Sequence, residues 1–126
     1  MSAALARELA TLLERSDAVL DATSAQARPY MTDATESRAV RGRAAAVARP
    51  ATAAEVAAVV RWCYGHDVPI VARGGGTGYA GGAVPRDGSE VVLSLERLAG
   101  PAQLEPGAWR AWVPAGARTA DVRRRV

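Results

Sequence analysis

The sequence contains no lysine, no phenylalanine, one cysteine, one histidine and no long hydrophobic run. Each absence excludes something. Without lysine there is no Schiff-base chemistry, no P-loop lysine and no kinase-type ATP lysine. All 16 basic residues are therefore arginine, and against 13 acids they leave a formal net charge of +3. Apart from Arg123-Arg124-Arg125 they are scattered, which argues against a nucleic-acid surface. Cys63 has no internal disulfide partner and falls within a helical pattern, where it reads as a small buried residue in a reducing compartment. No stretch approaches the roughly 20 apolar residues that span a bilayer, so no integral membrane segment is expected. The N-terminus carries acids within its apolar pattern and is not a signal peptide. A cytoplasmic location follows, with peripheral membrane association left open.

What is present fits one modest domain: 126 residues, 49% hydrophobic, much of it alanine and valine. Residues 3–20 place Leu5, Leu9, Leu12 or Leu13, and Val19 or Leu20 on one stripe, which predicts a single surface helix. Residues 21–43 are polar, broken by Pro29 and Gly42, and read as a loop over a domain edge. Within them Asp33 and Glu36 read as solvated. "AAAVAR" (44–49) predicts a buried strand ended by Pro50. Thr52 and Glu55 form a T-x-x-E capping box, after which Val56, Val59, Val60 and Cys63 recur at helical spacing. Gly65 and Pro69 end that helix, with His66 as a solvated capping residue. "VPIVAR" then reads as a strand, so residues 44–73 predict a strand–helix–strand unit with parallel strands. "SEVVLSLERL" and "AWRAWVPAG" predict two further strands, and "RTADVRRRV" a helix capped by Thr119 with Asp121 near its positive end. Trp62, Trp109 and Trp112 read as core or edge packing, and Arg123 to Arg125 as one solvated helix face. The unfinished apolar face of that last helix suggests a chain severed at its C-terminus.

The densest motif is "VARGGGTGYAGGAVP" (71–85). Gly76-Thr77-Gly78-Tyr79-Ala80-Gly81 satisfies G-x-G-x-x-G, yet the dinucleotide-binding reading requires the third glycine to open a helix. Gly82, Pro85 and Gly88 make a helix there improbable. Glu96, twenty residues after Gly76, follows directly on a strand and is weak support for a ribose-binding acid. A nicotinamide-dependent enzyme is thus a minor alternative that predicts a helix near Gly81. The loop retains a simpler capacity. Gly74, Gly75, Gly76 and Gly78 permit positive φ and bare backbone N–H groups, which can form an anion-holding nest with Thr77 adding a hydroxyl. Gly81 and Gly82 let the returning chain pass close to the same ligand, and Arg73 contributes charge or braces the loop.

"RGGGTGYAGGAVP", preceded by "VARPATAAEVAAVVRWCYGHDVPIVA" and followed by "EVVLSLERL" and "WVPAGARTADV", resembles the N-terminal FAD-binding (PCMH-type) region of the vanillyl-alcohol oxidase superfamily. The likeness is to the branch of glycolate oxidase subunits and of D-lactate and D-2-hydroxyglutarate dehydrogenases. It implies an α+β FAD-binding domain over residues 28–126, present as its N-terminal part, with residues 1–27 as a helix and lead-in. It also implies that amides of residues 74–78, with Thr77 donating, wrap the FAD diphosphate. Arg73, Tyr79, Pro50 and the Gly81–Gly82–Ala83 return would lie near the cofactor, with Ala115 and Gly116 as weaker candidates. Some relatives attach FAD through a histidine in this loop. Thr77 stands at that position here, which implies non-covalent FAD. In intact form such a protein would oxidise a small 2-hydroxy acid by hydride transfer to flavin, with an electron acceptor the sequence does not identify. A flavin-binding remnant without turnover is the alternative. No catalytic acid or base and no metal ligand can be named.

Overall fold

The structure, a computed structural model, describes residues 2–125. Four strands make one sheet in the order β1-β2-β4-β3: β1 (Val19–Asp21), β2 (Ala46–Ala48), β3 (Ile70–Arg73) and β4 (Val91–Ser94). β1 is antiparallel to β2, while β4 lies between β2 and β3 and runs parallel to both. The predicted strand–helix–strand unit is therefore present, but its two strands are not neighbours. β4 takes the central place because all four of its residues, Val-Val-Leu-Ser, are buried, as a strand covered on both faces requires.

The two faces carry two clusters. On one, Ala46, Ala48, Val91 and Leu93 meet Leu9, Leu13, Val59 and Cys63. These come from the α1 region (α1, Ser2–Ala10) and from α2 (Ala53–Gly65). On the other, Val47 and Val92 meet Leu20, Ala27, Tyr30 and Met31. Alternation along each strand accounts for the split. Burial pushes the Cys63 thiol pKa up, in keeping with a packing role.

The N-terminal helix is shorter than its pattern predicts. It stops at Ala10, where the Thr11 hydroxyl donates to the Glu8 carbonyl, and residues 19–21 pair with β2 instead. Leu9, Leu13 and Ala18 still pack together, so the stripe identified buried residues but not their backbone. The segment 21–43 is likewise more ordered than a loop. It folds into two 3-10 helices, Ala25–Met31 and Ala34–Arg38, and the first covers a sheet face. Asp33 is buried, not solvated: its carboxylate accepts the Thr35 hydroxyl and, at 2.8 Å, the Thr35 N–H. Glu36 is exposed and pairs with Arg41.

α2 follows its sequence signals. Thr52 Oγ1 accepts the Glu55 N–H at 3.1 Å. Glu55 reaches back to the Ala51 N–H at 2.6 Å and also accepts the Glu14 N–H at 2.8 Å, tying the turns after α1 to the start of α2. His66 caps the far end, exposed, with its ring stacked on Trp62 at 4.2 Å. Trp62 is half-buried against the core as expected. The other two tryptophans are not. "AWRAWVPAG" forms only a three-residue strand, β6 (Arg110–Trp112), paired antiparallel with β5 (Gln103–Glu105) in a separate hairpin. Trp109 there is 97% exposed and Trp112 63%, its indole N–H donating to Glu105. The final helix, α3 (Thr119–Arg123), has Arg118 and not Thr119 at its cap, with Asp121 in its first turn.

Three buried carboxylates predict the acid response. The Glu14 and Ala51 amides hold Glu55 below its ordinary pKa of 4.5. The Thr35 hydroxyl and amide do the same for Asp33. Burial pushes Glu90 up, but the Arg86 side chain and the Asp87 and Arg86 amides bring it below its ordinary value. A carboxylate with a depressed folded-state pKa stabilises in full above its unfolded value and loses that contribution as pH falls through the folded one. Urea midpoints are expected to be flat from about pH 7 to about pH 5 and to drop below about pH 4. Stability rising on acidification below pH 4 would contradict this assignment.

Candidate functional site

Between Arg73 at the end of β3 and Val91 at the start of β4 the chain makes one long bend, residues 74–90, that contains no helix. The third glycine of the fingerprint, Gly81, leads into turns. The dinucleotide reading that needs a helix there is overturned.

The glycines of this bend divide into two kinds. Gly76 and Gly81 take positive φ, +67° and +73°, which only glycine adopts without strain. Gly74, Gly78 and Gly82 do not, and a Cβ added at any of them would meet nothing within 4 Å. Neither conformation nor packing within the chain calls for glycine at these three positions. Bare backbone there leaves room for something outside the chain to come close. The amides agree. Among the described residues, the N–H groups of Gly75, Gly76, Thr77 and Gly78 have no hydrogen-bond acceptor in the chain. Gly74, Gly75, Thr77 and Gly78 are exposed. Unpaired amides clustered on one short bend are what an anion-binding nest requires.

The bend borders a cleft of about 820 Å³. Gly74, Gly75 and Thr77 line it on the loop side, and Gly116 to Val122 and Arg125 from the C-terminal segment. Arg125 is thus exposed but not simply part of an outward helix face. Gly116 is there for close approach: its amide donates to the Leu98 carbonyl at 3.1 Å, and a Cβ would lie 2.0 Å from the Leu95 carbonyl oxygen.

Arg73 also lines the cleft, yet it is only 9% exposed. Its guanidinium donates to the carbonyls of Thr32 at 2.6 Å, Pro29 at 2.8 Å and Ala83 at 3.5 Å, and lies 5.7 Å from the Tyr30 ring centre. Burial lowers its pKa, opposed by Tyr30, Asp33 and Glu96. Its three hydrogen-bond acceptors are all backbone carbonyls, two from the segment over the sheet and one from the return of the bend.

The other expected residues are spread around this core. Gly76 stands over the Arg73 guanidinium. Tyr79 is 73% exposed on the bend beyond the cleft, with Gly81 and Gly82 following it and the Ala83 carbonyl held by Arg73. Pro50 is fully buried between β2 and α2, away from the cleft lining. Ala115 is exposed and does not line the cleft.

Sequence reasoning missed Tyr30 and Glu96 as a pair. Both line the cleft, and the Tyr30 hydroxyl donates to Glu96 at 2.6 Å across 66 residues of chain. Burial, then the hydrogen bond to Glu96, raises the Tyr30 pKa. Arg49 stands 3.8 Å from the same carboxylate. Nothing local in the sequence signals such a pairing. The buried Glu90 was also missed; it accepts the Arg86 and Asp87 amides and folds the end of the bend back into β4.

Comparison with known proteins bears directly on this geometry. The model of a family described as FAD binding domain matches residues 44–126. A D-2-hydroxyglutarate dehydrogenase of Xanthomonas citri pv. viticola is 55% identical over 53 residues, which is 42% of this chain and 11% of that protein. The glycolate oxidase subunit GlcD of Escherichia coli is 34% identical over 98 residues, 78% of this chain and 19% of that protein. The chain thus spans less than a fifth of either relative. Among solved structures, p-cresol methylhydroxylase with substrate bound superposes with a TM-score of 0.77 at 25% identity, covering 98% of this chain and 24% of that one.

Proposed function

The chain belongs to the FAD binding domain family, and on that premise we propose that its glycine bend grips the diphosphate of FAD. The amides of residues 74–78 and the Thr77 hydroxyl are the donors, and attachment is non-covalent. The Gly81–Ala83 return and Gly116 flank the same region, whereas Tyr79 and Pro50 lie outside the cleft lining. Residues 28–126 carry the binding site, while the 1–27 lead-in supplies β1 to the sheet and Leu9 to its core. The observation that carries this reading is the set of unpaired, exposed amides on bare backbone beside a cleft of about 820 Å³. Main-chain donors preorganised around an anion give hydrogen bonds of the charge-assisted kind, about 1.5–3 kcal/mol each.

FAD bound there would supply the redox centre for oxidation of a small 2-hydroxy acid in an oxidoreductase of which this chain is the diphosphate-binding part. The protein's contribution here is to bind, orient and exclude water. Binding without turnover by this chain alone is a second reading. It is favoured by the cleft carboxylates, Glu96 and Asp121, being engaged by Tyr30 and Arg124. Among the described residues no group of three or more histidine, cysteine or acidic side chains could hold a metal ion. No helix among them is long and apolar enough to cross a membrane.

Flavin-fluorescence titration tests the proposal. FAD should quench saturably and bind roughly 100-fold more tightly than riboflavin, which lacks the diphosphate, from about 3 kcal/mol of lost charge-assisted bonding. Equal affinity for both, or no saturable binding of FAD, would remove the diphosphate from the loop. Turnover of a 2-hydroxy acid by the FAD-loaded chain separates the two readings.

A further inference from the structure

We propose that Arg73 is the positioning residue of the glycine bend: its guanidinium, clamped on the carbonyls of Pro29, Thr32 and Ala83 beneath Gly76, holds the loop amides in their anion-binding arrangement. The inference rests on the diphosphate reading above and adds to it the residue that shapes the site without being one of its main-chain donors.

A buried cation is costly unless its N–H groups are satisfied, and it is normally matched with a carboxylate. Arg73 is only 9% exposed, and among the described residues no carboxylate oxygen lies within 4.0 Å of it. Its partners are instead carbonyls from segments far apart in sequence. Pro29 and Thr32 belong to the segment over the sheet, 44 and 41 residues away, and Ala83 to the loop's own return, 10 residues on. The sheet does not need this arrangement, because β3 already pairs with β4 through Arg73 itself. What the guanidinium fixes is the loop. One end leaves from Arg73, the other is caught at Ala83, and a Cβ on Gly76 would stand 2.1 Å from Nη2. That closeness is open only to glycine, so the bend is seated directly on the guanidinium. Tyr30 beneath it, bonded to Glu96 at 2.6 Å, anchors the seat to the end of β4. A planar fork with several donors suits a clamp on divergent carbonyls, and an ammonium does not reproduce it.

The test compares the full chain with Arg73→Met and Arg73→Lys in two measurements. Amide hydrogen exchange, without ligand, should be about tenfold faster or more across residues 74–83 in Arg73→Met, with β2 and α2 amides unchanged. FAD affinity should fall roughly 100-fold while riboflavin affinity stays within about threefold, with Arg73→Lys recovering only part of the FAD loss. Unchanged loop exchange would overturn the proposal, as would FAD and riboflavin affinities falling by the same factor. If the native chain binds no FAD, the functional reading fails by itself, and the exchange comparison still decides the role of Arg73. If Arg73→Met does not fold, Arg73→Lys gives the same comparison: faster loop exchange supports the role and native exchange overturns it.

Discussion

Replacing Gly76 with alanine is expected to weaken FAD binding by about 100-fold or more while the sheet remains folded. Two costs meet at this position. The residue sits at φ +67°, where a non-glycine residue is strained by about 1–2 kcal/mol. The new Cβ would also lie 2.1 Å from Arg73 Nη2 and 2.4 Å from Cζ. A long side chain usually yields to such a clash. This one is held by the Thr32 and Pro29 carbonyls at 2.6 and 2.8 Å, so moving it breaks bonds of about 1.5–3 kcal/mol each. Either the loop lifts off its seat or the seat comes apart, and both displace the amides. Gly78→Ala supplies the contrast. Its φ is not positive and its Cβ would meet nothing within 4 Å, so the unliganded melting temperature should be unchanged. The affinity for FAD should nevertheless fall about tenfold, because the added methyl occupies the ligand's approach. Parallel thermal melts and flavin titrations of the two variants check both statements. Gly78→Ala binding FAD as tightly as the native chain would contradict the second.

The largest stability loss is expected outside the loop. Gly42→Ala should lower the unfolding free energy by roughly 3 kcal/mol or more, at the upper end of overpacking costs. The midpoint of thermal unfolding should drop by about 10 °C or more. A Cβ at Gly42 would lie 1.5 Å from the Pro85 carbonyl oxygen and 2.6 Å from its carbon. Backbone stands against backbone there, so no side-chain rotation relieves the overlap. The Gly42 amide meanwhile donates to the Met31 carbonyl at 2.9 Å, which prevents the strand entry from simply shifting outward. Pro85 lies on the return of the glycine bend, so whatever adjustment occurs is passed to the loop. A melting temperature within about 2 °C of the native value would show that this contact is not tight.

Gly42 illustrates how much of this molecule was open to sequence reasoning. Its residue type announced an interruption, but its reason is a contact with Pro85, 43 residues away, which no local pattern encodes. Where structure is set locally, the reading was close. The Thr52–Glu55 box, the periodicity of Val59 and Cys63, and the uniformly apolar Val91–Leu93 run gave α2 and the central strand. Where long-range pairing decides, it was not. Val19 and Leu20 continue a helical stripe by spacing, yet they form an edge strand because Ala48 and Val47 offer backbone partners. Asp33 looked like solvated loop, but its Oδ1 accepts both the amide and the hydroxyl of Thr35 inside a buried turn. The glycine bend itself was legible because unusual backbone needs unusual residues. Its support was not, since carbonyls have no letter in the sequence: the acceptors of Arg73 could have come from anywhere.

Amide chemical shifts recorded while FAD is added to the isotopically labelled chain test the central claim most directly. The largest movements should fall on Gly74 to Gly78, with Thr77 among them, while Trp109 to Trp112 on the separate hairpin stay within error. Loop amides that remain still while the flavin binds would contradict the account outright.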